Sequence, residues 1–188
     1  GYGDLGCFNY GASQTPVLDQ LVHDGVSLTQ HYSSSPVCAP ARASLLTGRY
    51  SQRTGAIDTL ELRGLDRLAL RERTIADYLR AAGYATGLSG KWGLGEEGTA
   101  GVPTRQGFGH FFGYLNQQHA HNYFPTFLIK NKERVLLTNK VPDEDENGGG
   151  VATERNQYSP DLMFGEALKF LDENKSKPFF LYFSITLP

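Results

Sequence analysis

Residues 179–187, FFLYFSITL, make a near-continuous apolar run of strand length. A strand with one face in water alternates polar and apolar residues, so a run without alternation belongs in a sheet covered on both faces. It therefore predicts a central strand. The segment before it has the helical period, with Leu162, Met163, Ala167, Leu168 and Leu171 forming the buried side of a helix over 159–174.

The same alternation of helix and strand runs back to the start of the chain. TPVLDQLVHDG at 15–25 predicts a helix, with Thr15 as N-cap, Pro16 at the first helical position and Gly25 as the stop. Leu18, Leu21 and Val22 form its apolar face, and a short strand over 26–33 follows. PARASLLTG at 40–48 predicts a second helix and TIADYLRAAG at 74–83 a third. YATGLSGKWG then reads as a strand entering a Gly-rich turn. Residues 124–140 predict a hairpin about Lys130–Glu133. PDEDENGGG at 142–150 reads as a solvated acidic loop. There is no internal repeat. The pattern predicts an α/β fold with a mostly parallel central sheet and helices packed on it.

Composition limits the function classes. The 188 residues carry 18 Lys and Arg against 20 Asp and Glu, a formal net charge of −2. A phosphate-backbone binder would show a basic excess, so nucleic acid is not an expected partner. No apolar run approaches the roughly 20 residues of a spanning helix. Two cysteines, Cys7 and Cys38, could make at most one bridge, too few for a disulfide scaffold. No Cys/His spacing of zinc type is present.

The densest chemistry lies in Ser33–Arg42, SSSPVCAPAR, continuing through Gly48-Arg49-Tyr50. It places Cys38 just before a helix start, where unpaired N–H groups and the helix dipole favour an anion. Arg42 comes one turn later and can reach back toward the same spot. Taken alone, a cysteine there reads as a small buried hydrophobe and the arginine as a surface cation.

The motifs supply more. Cys38-Ala39-Pro40-Ala41-Arg42, with Leu45-Leu46-Thr47-Gly48 behind it, resembles the sulfatase signature C-x-P-x-R. Gly83-Tyr84-Ala85-Thr86, through Gly90-Lys91-Trp92, resembles the second block of that family, G-Y-x-T-x-x-x-G-K-W. GYGDLGC, the 15–25 helix and PFFLYFSITLP are also similar, so the resemblance covers the whole chain. It implies an alkaline-phosphatase-like α/β fold. The opening at Gly1 without Met and the ending in an apolar run read as cut ends. The expectation for 1–188 is therefore a partial N-terminal catalytic domain.

The resemblance also implies a reaction. Cys38 would be oxidised by a maturation enzyme to formylglycine, whose hydrate attacks the sulfur of a sulfate monoester. Arg42 would steady the formylglycine, and Lys91 would meet a sulfate oxygen. A divalent cation, usually calcium, completes such sites and suits oxygen donors. Cys38, as formylglycine, is its one expected ligand here. The others are expected outside residues 1–188, so the isolated chain is expected to be inactive. Asp4 is read as structural.

One departure stands out. Many sulfatases read K-W-H, but here Lys91 and Trp92 are followed by Gly93, so either another residue supplies the base or the family division differs. GYLNQQHAHNYFP at 113–125 offers the candidates. His121 is the preferred acid–base group, with His119, Gln118 and Asn122 as substrate contacts. The blander readings are a structural or exposed role for His23 and His31, an aromatic neighbourhood for His110, burial of Cys7, and a solvated turn for Glu96 and Glu97.

The expected substrates are aryl or carbohydrate sulfates. The competing readings are a phosphonate or phosphate monoester hydrolase, and a non-catalytic binder of sulfated glycans. Family habit points to the periplasm, the cell exterior or a lysosome.

Overall fold

A computed structural model of the chain describes residues 2–59 and 67–187. These fall into two compact units, one reaching to Tyr32 and one spanning Ser33–Leu187.

In the first unit, helix α1 spans Pro16–Asp24, as the sequence predicts. Thr15 sits at the N-cap, but its hydroxyl does not cap the helix. It accepts from the Gly6 amide and donates to Asp19 Oδ1, both at 2.8 Å. The strand expected over 26–33 is absent. Those residues pair with no strand and residues 26–32 are exposed, so the ladder that would hold them extended is missing. Cys7 was expected to be buried; it is exposed, and both cysteines are unbridged.

The second unit is built on a five-stranded sheet in the order β4-β3-β2-β1-β5. Its strands are β1 (Ala85–Lys91), β2 (His110–Tyr114), β3 (Phe127–Lys130), β4 (Glu133–Leu136) and β5 (Phe179–Ser184). β2, β1 and β5 run parallel, while β3 and β4 form the predicted antiparallel hairpin. Asn131, in its turn, takes a left-handed conformation with φ of 57°.

Helices cover both faces. On one side α2 (Cys38–Thr47) and α3 (Ile75–Ala81) present Ala39, Ala43, Leu46 and Ala76 to a core that includes Leu88, Trp92, Phe108 and Phe111. Small side chains on both helices allow a close approach. α3 opens with a reciprocal cap in which Thr74 Oγ1 accepts from the Asp77 amide and Asp77 Oδ2 from the Thr74 amide. On the other side α4 (Ser159–Asn174) packs Met163 against Phe112, Tyr114 and Leu128. Its span matches the prediction, but its buried face is set by Met163, Ala167 and Phe170, and Leu168 is exposed.

Among the described residues the apolar run is an edge strand, β5, while β1 lies inside the sheet between β2 and β5, buried from Thr86 onward. β1 is poor in large apolar residues because the face under α4 has little room. A Cβ at Gly87 would come within 2.7 Å of the Phe170 ring. Small residues, not an apolar run, mark this interior strand.

His110 packs 5.8 Å from the Phe170 ring, with its Nε2 3.2 Å from Glu166, which also pairs with Lys130 at 2.7 Å. In the 142–150 loop, residues 143–146 are exposed and Gly148 and Gly149 are buried. No helix among the described residues is long and apolar enough to cross a membrane.

Candidate active site

In open α/β sheets, ligands bind beyond the carboxyl ends of the parallel strands. Such a crevice exists here. A cavity of about 380 Å³ is lined by Arg42, Lys91, Ala120, His121, Tyr123, Ile185 and Thr186. Arg42 comes from α2, Lys91 ends β1, the 120–123 group follows β2, and Ile185 and Thr186 follow β5.

α2 starts two residues earlier than predicted. Val37 is the N-cap, extended at φ −115° and ψ 158°, and Cys38 is the first helical residue. Cys38 is half-buried. Arg42, one turn on, shares its face of the helix.

Arg42 does not simply fold back along its own helix. Its Nη1 donates to the Lys91 carbonyl oxygen at 2.6 Å and to Ser184 Oγ, with Tyr182 Oη at 3.5 Å. One guanidinium therefore ties the start of α2 to the ends of β1 and β5. Its planar fork suits this task, since it can serve several acceptors from one fixed group.

Lys91 is 4% exposed. Its place is fixed by the next residue, Trp92, which is wholly buried and sits edge-on to Phe108 at 5.8 Å. The indole Nε1–H donates to the Gly101 carbonyl at 2.8 Å. Burying the indole in the core thus holds the adjacent lysine at the cavity.

His121 is exposed and lines the cavity. His119, two residues earlier, does not. It is 2% exposed, with its ring centroid 4.9 Å from Tyr114 and 4.4 Å from Phe127. Burial pushes its pKa down to about 4, helped by the nearby Arg134 charge. Asn122 is buried and accepts from the Phe124 amide at 3.0 Å. Gln118 is exposed and donates to Asp145. None of these three lines the cavity.

Gly93 has φ of +70°, and a Cβ there would stand 2.4 Å from Gln117 Nε2. That amide donates to the Gly93 carbonyl at 2.7 Å. Gln117 therefore fills the space that any side chain at 93 would need. Glu97 pairs with Arg134 at 2.8 Å, and Glu96 accepts from Asn116 at 3.4 Å, so both have structural partners.

Among the described residues no group of three or more His, Cys, Asp or Glu could hold a metal ion. They do not by themselves form a calcium site. Sequence reasoning missed Tyr123 and Thr186 at the cavity, and Ser184 and Tyr182 on Arg42. Ser184 had one signal: it is a hydroxyl inside an apolar run, and it is buried.

The family model described as Sulfatase matches residues 1–186. Human arylsulfatase A is 47% identical over 116 residues, covering 60% of this chain and 23% of that protein. Rat steryl-sulfatase is 41% identical over 124 residues, covering 60% and 22%. The crystal structure of Ps i-CgsB in complex with k-i-k-neocarrahexaose has a TM-score of 0.75 and 28% identity, covering all of this chain and 43% of that one. The chain thus spans under a quarter of these curated relatives and under half of that solved structure.

Proposed function

This chain belongs to the sulfatase family, and on that premise we propose that the whole protein hydrolyses sulfate monoesters through a formylglycine made from Cys38. The observation that carries the reading is the Arg42 guanidinium, which stands one helical turn from Cys38, donates to the Lys91 carbonyl and lines the cavity with Lys91, although Cys38 itself is not among the lining residues.

A maturation enzyme, drawing on an external oxidant such as dioxygen, oxidises the Cys38 β-carbon to an aldehyde as its C–S bond breaks and the sulfur leaves, and water adds to give two hydroxyls on one carbon. One hydroxyl oxygen attacks sulfur, the ester S–O bond breaks, and the alcohol leaves with a proton. The second hydroxyl then loses its proton. The carbon collapses to the aldehyde, its bond to the bridging oxygen breaks, and sulfate departs. Water restores the hydrate. Covalent catalysis here replaces a second attack at sulfur with an easier C–O cleavage.

Arg42 holds the formylglycine and keeps the helix start against the strand ends. Lys91 offsets charge growing on the sulfuryl oxygens. His121, the imidazole on the cavity wall, carries the proton to or from the reacting oxygens. It does the work that a histidine at position 93 does in K-W-H sulfatases, where Gln117 here leaves no room.

The substrate class is a carbohydrate or aryl sulfate. One solved relative that covers the whole of this chain is in complex with k-i-k-neocarrahexaose, which favours a saccharide. The compartment is one outside the cytosol.

The test is mass spectrometry of the Cys38 peptide from full-length protein, with turnover of an aryl sulfate, a sulfated saccharide and an aryl phosphate. Formylglycine at 38, and loss of sulfate release in Cys38→Ala, are expected. Full activity in Cys38→Ala would refute the proposal, and preference for the phosphate would move it to phosphoryl chemistry.

A further inference from the structure

The segment that brings His121 to the cavity is held from beneath by two buried hydroxyls. Tyr114 ends β2 and is wholly buried, with its Oη 2.6 Å from both the Asn122 carbonyl oxygen and Ser159 Oγ. Ser159 opens α4, also wholly buried. Its backbone N–H donates to the Tyr123 carbonyl at 2.9 Å, and its Oγ lies 2.9 Å from the same oxygen, the two hydroxyl protons being shared among these three acceptors. The two carbonyls gripped in this way directly follow His121 in the chain. On the other side of His121, the imidazole of His119 is locked in the core against Tyr114. Asn116 Oδ1 accepts from the Gln118 and His119 amides at 2.7 and 3.1 Å.

We propose that Tyr114 and Ser159 are positioning residues for His121, acting through the Asn122 and Tyr123 carbonyls to fix its imidazole over the cavity. The backbone is clamped on both sides of His121 while the imidazole itself stays exposed. A general acid–base group works only within hydrogen-bond reach of the oxygen it serves, so a small loss of register costs rate. The hydroxyl pair gives that register a rigid base, because it joins the end of a central strand to the start of the helix that covers it. This inference rests on the reading of the cavity as the sulfate ester site.

The experiment is a double-mutant cycle on full-length, formylglycine-containing protein, read as kcat/KM for an aryl sulfate. Tyr114→Phe removes the hydroxyl and keeps the ring. It should lower kcat/KM about 10-fold or more in the wild-type background and less than about 2-fold in His121→Ala. Melting temperature and near-ultraviolet circular dichroism report folding separately. A merely structural role would cost the same factor in both backgrounds, and that result overturns the proposal. So does a His121→Ala enzyme with unchanged activity, since there would then be nothing to position. If Tyr114→Phe fails to fold, Ser159→Ala runs the same cycle with the same two outcomes, and Ser159→Thr should restore activity. Wild-type protein without sulfate release, or Cys38→Ala that retains it, shows instead that the site reading has failed and takes the proposal with it.

Discussion

Arg42 Nη1 donates to the backbone carbonyl of Lys91 at 2.6 Å, across 49 positions of sequence. The two cationic residues of the site are therefore coupled through the main chain as well as through the cavity. Arg42 holds the last carbonyl of β1, and Lys91 is the residue at that end.

Arg42→Lys keeps the charge and loses the fork. An ammonium cannot serve the Lys91 carbonyl and the Ser184 hydroxyl in the same planar geometry. Removing one preorganised donor of this kind lowers kcat by about 10²–10³-fold. Steady-state kinetics on the full-length protein should show that loss with formylglycine content unchanged by mass spectrometry. An enzyme within 3-fold of wild type, roughly the noise of such comparisons, would show that charge alone suffices.

Position 93 is closed to side chains. Gly93→His needs a strained φ and displaces Gln117, so it should destabilise the protein by about 2 kcal/mol or more. Pairing it with Gln117→Ala opens the space and should recover part of that loss. Urea unfolding of the single and double variants measures the coupling, and strictly additive losses would contradict it.

His119 makes the protein acid-sensitive. Its pKa is about 4 in the folded state, below the ordinary 6.5. The unfolded chain thus binds a proton that the folded one refuses. Stability from this group is complete above pH 6.5 and falls as the pH drops toward 4, by about 3 kcal/mol at most. Melting temperatures from pH 7 to 4 should fall more steeply for wild type than for His119→Asn. Parallel curves would remove His119 as the cause.

Phe170 fills the space left by Gly87 on β1. Phe170→Ala should cost about 3–4 kcal/mol, since a ring is lost from a site whose backbone cannot close in. Gly87→Ala should also destabilise, because a methyl would meet the ring edge. Thermal unfolding checks both, and a neutral Gly87→Ala would mean that α4 shifts freely.

Local pattern made some elements legible. The helical period over 159–174 marks α4 to the residue, and the alternation over 124–140 marks the hairpin about Lys130–Glu133. The 26–33 strand was misread because propensity says nothing about whether a pairing partner exists. β5 reads as central from its own apolar residues, while its place at the edge among the described residues depends on strands far away in sequence. Of the candidate site residues, Cys38, Arg42 and Lys91 stand in short motifs, and His121 in a segment rich in polar and aromatic side chains. His119, Asn122 and Gln118 share a segment with His121, but the turn at 119–121 sends them elsewhere.

The sequence by itself determined the family, the α/β alternation and the residue types that chemistry needs, because these live in short stretches where spacing and side chain are enough. Only the tertiary structure decided which of them meet. Arg42 reaches Lys91 and Ser184 from 49 and 142 positions away, and His119 and His121 part ways over one turn. Long-range packing fixes such distances, and no local period encodes it.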